Sequence, residues 1–188
     1  MREHLRTYAV TYAVLTGFIL LSGVFLTISP TELLDIIGSD NAYIIMFVLA
    51  FVGGITTFSG IPYHIILMGF ASAGINPIFL GVVTAGGVMM GDSVSYLMGR
   101  GGGAIIPSKF QKVFHSISSY LEQRPGMVFP GLFLYGSLSP LSNDFIVISL
   151  GLARFSYWRM IVPLALGNVV YNTALAYIGL YGYEWLIG

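Results

Sequence analysis

The sequence predicts an all-α polytopic membrane protein that forms a single domain over residues 1–188. The first observation is composition: 9% of the residues are charged, against about 25% in soluble domains, and the mean hydropathy is +0.84. The second is that apolar runs of spanning length alternate with apolar runs broken by glycine and proline. The third is that the hydropathy profile of the first half recurs in the second half. Together they indicate two repeats, each a broken run followed by a complete span.

The N-terminal part contains the first predicted span. Residues 7–28 are mostly apolar, and about 20 such residues suffice to cross the hydrocarbon core of a bilayer. The run lacks a small-residue cleavage site, so we expect it to be retained as a span rather than removed as a signal peptide. Thr31 to Asp40 is predicted to be a short amphipathic helix at the membrane interface.

The broken runs begin the two repeats. Repeat 1 covers residues 42–98 and repeat 2 covers residues 127–185. The arms of the first broken run have about 11–15 residues, too few to span easily, so each broken run is predicted to be a re-entrant hairpin that returns to its own side. Residues 100–126 form a predicted amphipathic linker on the cytoplasmic surface. With residues 7–28, this arrangement gives about three full spans.

The repeats align at a fixed offset of 80 residues. The matched pairs include Gly87 with Gly167, Asp92 with Asn172, and Gly99 with Gly179. Because one full span separates the two hairpins, they enter from opposite faces of the membrane. The prediction is therefore an inverted repeat, an arrangement in which broken helices meet near the midplane and bind a transported substrate.

The positive charges predict the orientation. All 8 lysines and arginines fall within residues 1–7, 100–126 and 153–159, which share one side when the hairpins return to their own face. The positive-inside rule makes that side cytoplasmic. We therefore expect a multi-pass protein of the cytoplasmic (plasma) membrane with a cytoplasmic N-terminus. The same sorting of charges would follow if each hairpin made two full crossings.

A spaced set of residues ends the first repeat. Its members are Gly87, Gly91, Asp92, Tyr96, Gly99 and Arg100. This spacing resembles the signature of the DedA family, also called the SNARE-associated or VTT-domain membrane proteins. Pro62 and Pro140 in the two hairpins, and Gly151 before the last span, extend the likeness to roughly residues 45–180.

The resemblance implies a fold with two opposed re-entrant hairpins and an activity on lipids. Members of the family are linked to moving polyprenyl phosphates or phospholipids across membranes, and eukaryotic relatives act as scramblases. This chain departs from the pattern at its hairpins. The glutamate that follows the first-loop proline in the family is His64, and the second-loop arginines appear as Ser137 and Asn143. Asp144, next to Asn143, and His64 are the expected substitutes.

Three titratable residues are candidates for substrate contact or ion coupling. Asp144 lies in the break of the second hairpin, where non-helical backbone must be buried or line a cavity, although it could also cap the following arm. His64 could titrate near neutral pH or serve in packing. Asp92 at a helix centre would cost roughly 2.5–3.5 kcal/mol. It either contacts a headgroup or lies near the cytoplasmic interface and pairs with Arg100.

The remaining candidates each have two interpretations. Ser59, Ser137, Ser139, Ser142 and Asn143 would bind a polar headgroup or satisfy hairpin backbone. Arg154 and Arg159 would hold a lipid phosphate or act as positive-inside anchors.

The residue pattern favours transport over catalysis. GxSxG, HExxH and GxxxxGK(S/T) motifs are missing, cysteine is absent and the 3 histidines are scattered, so we expect no enzyme activity, cofactor or metal. A net charge of 0 offers no basic face for nucleic acid. The leading prediction is a lipid translocase, a flippase or scramblase for a phospholipid or polyprenyl phosphate. The alternatives are a proton- or ion-coupled carrier of small solutes and a non-transporting scaffold, and a homo-oligomer stays open.

Overall fold

The computed structural model describes residues 30–55, 63–101, 112, 116, 119–120, 123–139 and 142–187. Within these ranges the chain is helical and has no strand, which confirms the predicted all-α class. The helices whose bounds lie within these ranges are α1 (Pro30–Ile37), α2 (Ser39–Ile55), α3 (Tyr63–Ser72), α4 (Pro77–Arg100), α5 (Pro125–Leu138), α6 (Asp144–Leu152) and α7 (Tyr157–Ile187).

The helices fall where the hydropathy pattern places them. Each broken run contains two helices, α2 and α3 in the first and α5 and α6 in the second, and each is followed by a long helix. The short helix expected over residues 31–40 corresponds to α1, which ends at Ile37. Gly38 follows with a φ of 82°, and residues 39 and 40 already belong to α2. Residues 7–28 and most of the 100–126 linker lie outside the described residues.

Local sequence signals define the start of α4. The Asn76 side chain accepts hydrogen bonds from the backbone N–H groups of Ile78 and Phe79 at 3.0 and 3.2 Å. Pro77 occupies the first turn, where its missing N–H is no loss because that donor would have no helical partner. The cap therefore fixes where the turn ends and the long helix begins.

Two of the helices are long and apolar enough to cross a membrane. They are the 24 residues Pro77–Arg100 and the 26 residues Tyr157–Gly182, each with a mean hydropathy of 1.5 over its most apolar window. By contrast, α3 has 10 residues and α6 has 9. At about 1.5 Å per residue these two reach only about half of a hydrocarbon core of about 30 Å.

The two long helices form the centre of the bundle. α4 packs on α7, α2 packs on α4, and α5 packs on α7. We call α2–α4 and α5–α7 the two halves of the bundle. Each short helix contacts the long helix of the other half: α3 packs on α7, and α6 packs on α4. Each half therefore holds the short helix of its counterpart, and the two halves form one body.

Glycines allow these helices to approach closely. A Cβ atom on Gly91 would lie 2.7 Å from the Cα of Gly54, so α2 and α4 are in backbone contact there. Gly87 faces the Phe47 carbonyl of α2, and Gly167 faces the Phe133 carbonyl of α5. Small residues at helix crossings are the usual means of tight packing between apolar helices.

The contacts of the short helices recur at a shift of 80 residues. Gly99 on α4 faces the Ile148 carbonyl of α6, and Gly179 on α7 faces the Met68 carbonyl of α3. Gly179 lies 80 residues after Gly99, and Met68 lies 80 residues before Ile148. The structure therefore contains the same helix contact twice, once on each long helix.

The turns before the two long helices also share one hydrogen-bond pattern. The backbone N–H of Gly74 donates to the Ala71 carbonyl, and the backbone N–H of Ile75 donates to the Phe70 carbonyl. Eighty residues later, Arg154 N–H donates to Gly151, and Phe155 N–H donates to Leu150. Each turn has one residue in the left-handed region: Gly74 with φ 95° and Arg154 with φ 55°. Arg154 is the only non-glycine residue with positive φ in the described ranges.

Apolar side chains cover the outside of the bundle as well as its core. One buried cluster includes Met46, Phe70 and Leu80, and a second includes Tyr96 and Leu132. Large exposed apolar residues line the outer faces of the helices, among them Ile44, Val48, Phe79, Leu97, Leu134, Trp158, Leu166 and Ile178. Such a surface is costly in water and favourable in lipid, as expected for membrane helices.

The positive φ of Gly74 gives a test of the turn. Nothing lies within 4 Å of a Cβ at this position, so Gly74→Ala changes only the backbone preference. We expect the free energy of unfolding to fall by roughly 1–2 kcal/mol, because a Cβ disfavours the left-handed region. The measurement is reversible unfolding in detergent.

Gly131→Ala is the matched control. Its Cβ would also meet nothing within 4 Å, but Gly131 lies inside α5 without a positive φ. It should leave stability unchanged or raise it by up to about 1 kcal/mol, because alanine favours helix over glycine. Equal effects at the two positions would contradict the proposed cost of the turn.

Candidate functional site

Polar side chains are buried where the two halves of the bundle meet. Asp92 on α4 and Asp144 on α6 each expose 1% of their surface, and Asn172 on α7 exposes 0%. Along α7, Asn168 and Asn172 lie between Leu164 of one apolar cluster and Ala176 of the other. We call Asp92, Asn143, Asp144, Asn168 and Asn172 the central polar cluster.

Asn143 connects three helices. It is the N-cap residue of α6, and its Nδ2 donates to Asp92 Oδ2 of α4 at 2.9 Å. The same Nδ2 lies 3.3 Å from Asn168 Oδ1 of α7. An amide donor that contacts a carboxylate in an apolar interior offsets part of the cost of removing the charge from water. Asn143 therefore holds the start of α6 against both long helices.

Asp144 is held from its own hairpin. Ser142 Oγ donates to Asp144 Oδ2 at 2.7 Å, and the Asp144 backbone N–H donates back to Ser142 Oγ at 3.3 Å. Tyr135 on α5 donates its hydroxyl to the Ser142 carbonyl at 3.0 Å. The alternative in which the Asp144 side chain caps α6 is not what the structure has, because Asp144 is the first helical residue and follows the cap position.

The N-terminal ends of both short helices lie near Asp92. Asn143 at the start of α6 is hydrogen-bonded to it. Tyr63, the first residue of α3, packs against Gly53, whose neighbour Gly54 contacts Gly91 next to Asp92. Helix N-termini carry partial positive charge from their unpaired N–H groups. Their field favours a negative group between them, which helps α4 to accommodate Asp92.

His64 belongs to an aromatic group next to the cluster. Its ring lies 3.9 Å from the ring centroid of Tyr63 and 5.7 Å from that of Tyr171 on α7, the second at an interplanar angle of 90°. The structure thus links His64 to the opposite half through Tyr171. Its observed contacts are those of a packed aromatic residue, which matches the interpretation of His64 as a packing residue.

Several buried polar atoms of the cluster have no hydrogen-bond partner among the described residues. They are Asp144 Oδ1 and Asn172 Oδ1, and Thr173 Oγ1 on α7 shares the property. Asn172 uses its Nδ2 to donate to the Asn168 carbonyl at 2.8 Å. Buried polar atoms in proteins are normally paired, so such a group marks a place where a further partner fits.

The arginine candidates lie at one end of the bundle rather than in the cluster. Arg100, Arg154 and Arg159 are exposed. Arg100 donates to the Tyr96 hydroxyl at 3.3 Å, and the Tyr96 hydroxyl donates to the Phe155 carbonyl at 2.5 Å. Asp92 does not pair with Arg100 as one interpretation expected; its carboxylate accepts from Asn143 instead. The reason is direction, since Asp92 faces inward and Arg100 faces outward from α4.

The other predicted positions have local roles where they are described. Ser137 Oγ donates to the Phe133 carbonyl of its own helix at 2.7 Å, which matches backbone satisfaction. The Ser139 backbone N–H donates to the Tyr135 carbonyl and ends α5. Gly151 faces the Tyr96 carbonyl, so two motif glycines, Gly99 and Gly151, lie together at the α4–α6 contact. Ser59, Pro62 and Pro140 lie outside the described residues.

The sequence alone did not identify every member of the cluster. Neither Asn168 nor Asn172 is among the predicted site residues, although Asn172 is the repeat partner of Asp92 and Asn168 lies one helical turn before it. Tyr63 and Tyr135, which border the cluster, are not predicted either, because tyrosines are common in membrane proteins. The 80-residue offset was the available signal, since Asn172 could have directed attention to its face of α7.

Comparisons with known proteins add no name to this arrangement. No protein-family model, no curated protein and no solved structure matches the chain. The resemblance to the DedA family therefore stays a prediction. The described residues also contain no group of three or more His, Cys, Asp or Glu side chains that could hold a metal ion.

The bridging role of Asn143 can be tested by stability. Asn143→Ala removes the donor to Asp92 and leaves a buried carboxylate short of a partner, so we expect a loss of about 1.5–3 kcal/mol in the free energy of unfolding. Asn41→Ala is the control, because Asn41 is exposed and donates only to the Ile37 carbonyl at 2.7 Å. It should change stability by less than about 0.5 kcal/mol. Similar losses in both variants would contradict the bridge.

Proposed function

We propose that the chain is a membrane transporter that moves a lipid headgroup across the bilayer, as a flippase or scramblase without enzyme activity. The observation that carries the proposal is the central polar cluster, buried inside helices whose outer faces are apolar. Polar and ionisable residues inside a membrane are costly, and they are kept mostly where they contact a substrate or ion. A purely structural bundle has no need for two carboxylates at its centre.

The chemistry of lipid movement suits such a cluster. A headgroup cannot cross the hydrocarbon core without hydrogen-bond partners, because each unsatisfied polar group costs roughly 2–7 kcal/mol. Carboxylate, amide and hydroxyl groups along a path between the halves would replace its water while the acyl chains stay in lipid. Asp92, Asn143 and Ser142 offer all three kinds of group in one place.

The arrangement of the short helices supports an inverted repeat with two re-entrant hairpins. α3 and α6 are too short to span, their N-termini lie near Asp92, and their contacts with α7 and α4 recur at a shift of 80 residues. In inverted-repeat transporters, discontinuous helices of this kind form the substrate site, and one half rocks against the other. We propose the same division here, with α2–α4 as one half and α5–α7 as the other.

The choice of a phospholipid or polyprenyl phosphate rests on the resemblance to the DedA family. Arg100, Arg154 and Arg159 are exposed at one end of the bundle, where guanidinium groups could receive a phosphate. In the proposed orientation this end is cytoplasmic, and the protein lies in the plasma membrane with its N-terminus inside. The arginines would then be the entry point and the central polar cluster the crossing point.

An ion-coupled carrier of small solutes is the second candidate. It is favoured by the two buried carboxylates, because Asp144 directly follows the Asn143 that is hydrogen-bonded to Asp92. Two neighbouring carboxylates suit a proton or cation better than a phosphate. A scaffold is the third, supported by the close backbone contact of Gly91 with Gly54. It predicts that Gly91→Leu disrupts the protein while neutral variants of the cluster have no effect.

The proposed function is tested by lipid translocation in proteoliposomes. Fluorescent phospholipids and an anionic polyprenyl phosphate are compared for the native chain, Asp144→Asn, and the exposed control Asp35→Asn. We expect movement with the native chain and the control, and a loss of about tenfold or more with Asp144→Asn, because a charged partner contributes ~1.5–3 kcal/mol.

The other outcomes separate the candidates. If no lipid moves but solute uptake follows an ion or pH gradient, the carrier replaces the translocase. If neither lipid nor solute moves and the cluster variants remain folded, the scaffold is favoured. Equal lipid movement by the native chain and Asp144→Asn would keep the transport proposal but remove Asp144 from the path.

The proposed orientation has its own test, because the chain contains no cysteine. Ser39 and Ser116 are both exposed and fall on opposite sides of the membrane in the proposed topology. In intact cells, a membrane-impermeant maleimide should label Ser39→Cys and should label Ser116→Cys only after permeabilisation. Labelling of both from outside, or the reverse pattern, would contradict the orientation.

A further inference from the structure

The central polar cluster has an imbalance of charge. Asp144 directly follows Asn143, whose Nδ2 lies 2.9 Å from Asp92 Oδ2, and each of the two carboxylates is almost completely buried. Among the described residues no lysine or arginine contacts either carboxylate, since Arg100, Arg154 and Arg159 are exposed at the end of the bundle. A pair of buried carboxylates without a counter-charge is expensive in an apolar interior.

Asp144 carries an unused acceptor at the centre of the cluster. Its Oδ1 is buried and has no hydrogen-bond partner among the described residues. Asp144 Oδ2 is already used by Ser142. A bound group that contacts Oδ1 directly and carries positive charge would satisfy both the atom and the local charge.

A second unpartnered atom belongs to the same cluster. Asn172 Oδ1 is fully buried and has no partner, while its Nδ2 is fixed on the Asn168 carbonyl. The side-chain oxygen of Asn168 accepts a hydrogen bond from Asn143 Nδ2, which also donates to Asp92. Carboxylate and amide oxygens are the ligands that hard cations prefer. The donor set is therefore oxygen-rich and distributed over α4, α6 and α7.

The size and charge of the cation follow from the burial. Asp92, Asp144 and Asn172 leave almost no exposed surface, so a small ion fits better than an organic ammonium group. Divalent ions usually take six or more oxygen ligands with several carboxylates, and no third acidic side chain joins this pair in the described ranges. One positive charge neutralises one of the two carboxylates, and the uncharged amide of Asn143 donates a hydrogen bond to Asp92.

We propose that Asp92 and Asp144, with the side-chain oxygen of Asn172, bind a sodium-sized monovalent cation between the two halves of the bundle. Its role as the coupling ion rests on the proposed transport function. Bound between α4, α6 and α7, the ion would hold the halves in the arrangement described here, and its release would free them to move. Binding itself can be measured without any transport.

The test is thermal unfolding of the purified full chain in detergent. Sodium chloride is compared with potassium chloride, choline chloride and magnesium chloride at constant ionic strength. We expect sodium to raise the midpoint saturably, by about 2–4 °C at several times its dissociation constant, because it binds the folded state. Asp144→Asn and Asp92→Asn should lose this rise, whereas Asp35→Asn, which alters an exposed carboxylate of α1, should keep it.

Equilibrium binding of radioactive sodium to the native chain keeps the test decisive if a variant fails to fold. About one ion per chain, displaced by unlabelled sodium and not by choline, is the expected result. No binding, a rise that magnesium or choline reproduces, or a rise retained by Asp144→Asn would each overturn the site. Sodium binding by a chain that moves no lipid would instead leave the site intact and defeat the proposed function.

Discussion

A carboxylate placed inside an apolar helix bundle must find donors within the protein, and this constraint shapes the centre of the molecule. Asp92 exposes 1% of its surface and has no arginine beside it among the described residues; its donor is Asn143, which comes from the other half of the bundle to within 2.9 Å. That contact fixes the start of α6, and with it the position of Asp144. The break in the second apolar run is therefore the element that delivers a donor to a buried acid.

The same contact explains why the helices must approach so closely. A short helix can present its N-terminus to the centre only if its other end packs tightly on a long helix. Gly99 and Gly151 provide that packing for α6, and Gly179 provides it for α3. Glycine allows backbone contact where lipid offers no hydrophobic driving force between helices. Close packing at the ends and polar pairing at the centre thus support each other.

Much of this fold follows from local sequence, while the pairing of the cluster does not. The broken runs and long spans are visible as hydropathy, and the cap at Asn76 is a local signal. Asp92 and Asn143 are 51 residues apart, and only the packing of α6 on the opposite long helix brings them together. The offset of 80 residues pairs Asp92 with Asn172. The hydrogen-bond partner of Asp92 is instead Asn143, from the second hairpin. The sequence therefore shows which polar residues are present, but it does not predict which of them form hydrogen bonds across the bundle.

The most direct test of this account is a double-mutant cycle on Asp92 and Asn143. Stability is measured for the native chain, Asp92→Ala, Asn143→Ala and the double variant in detergent. A bond between the two halves predicts a coupling energy of about 1–3 kcal/mol, since residues in direct contact do not add. Effects that sum within about 0.3–0.5 kcal/mol would show that the two side chains act independently, and the central polar cluster would no longer be the contact that joins the halves.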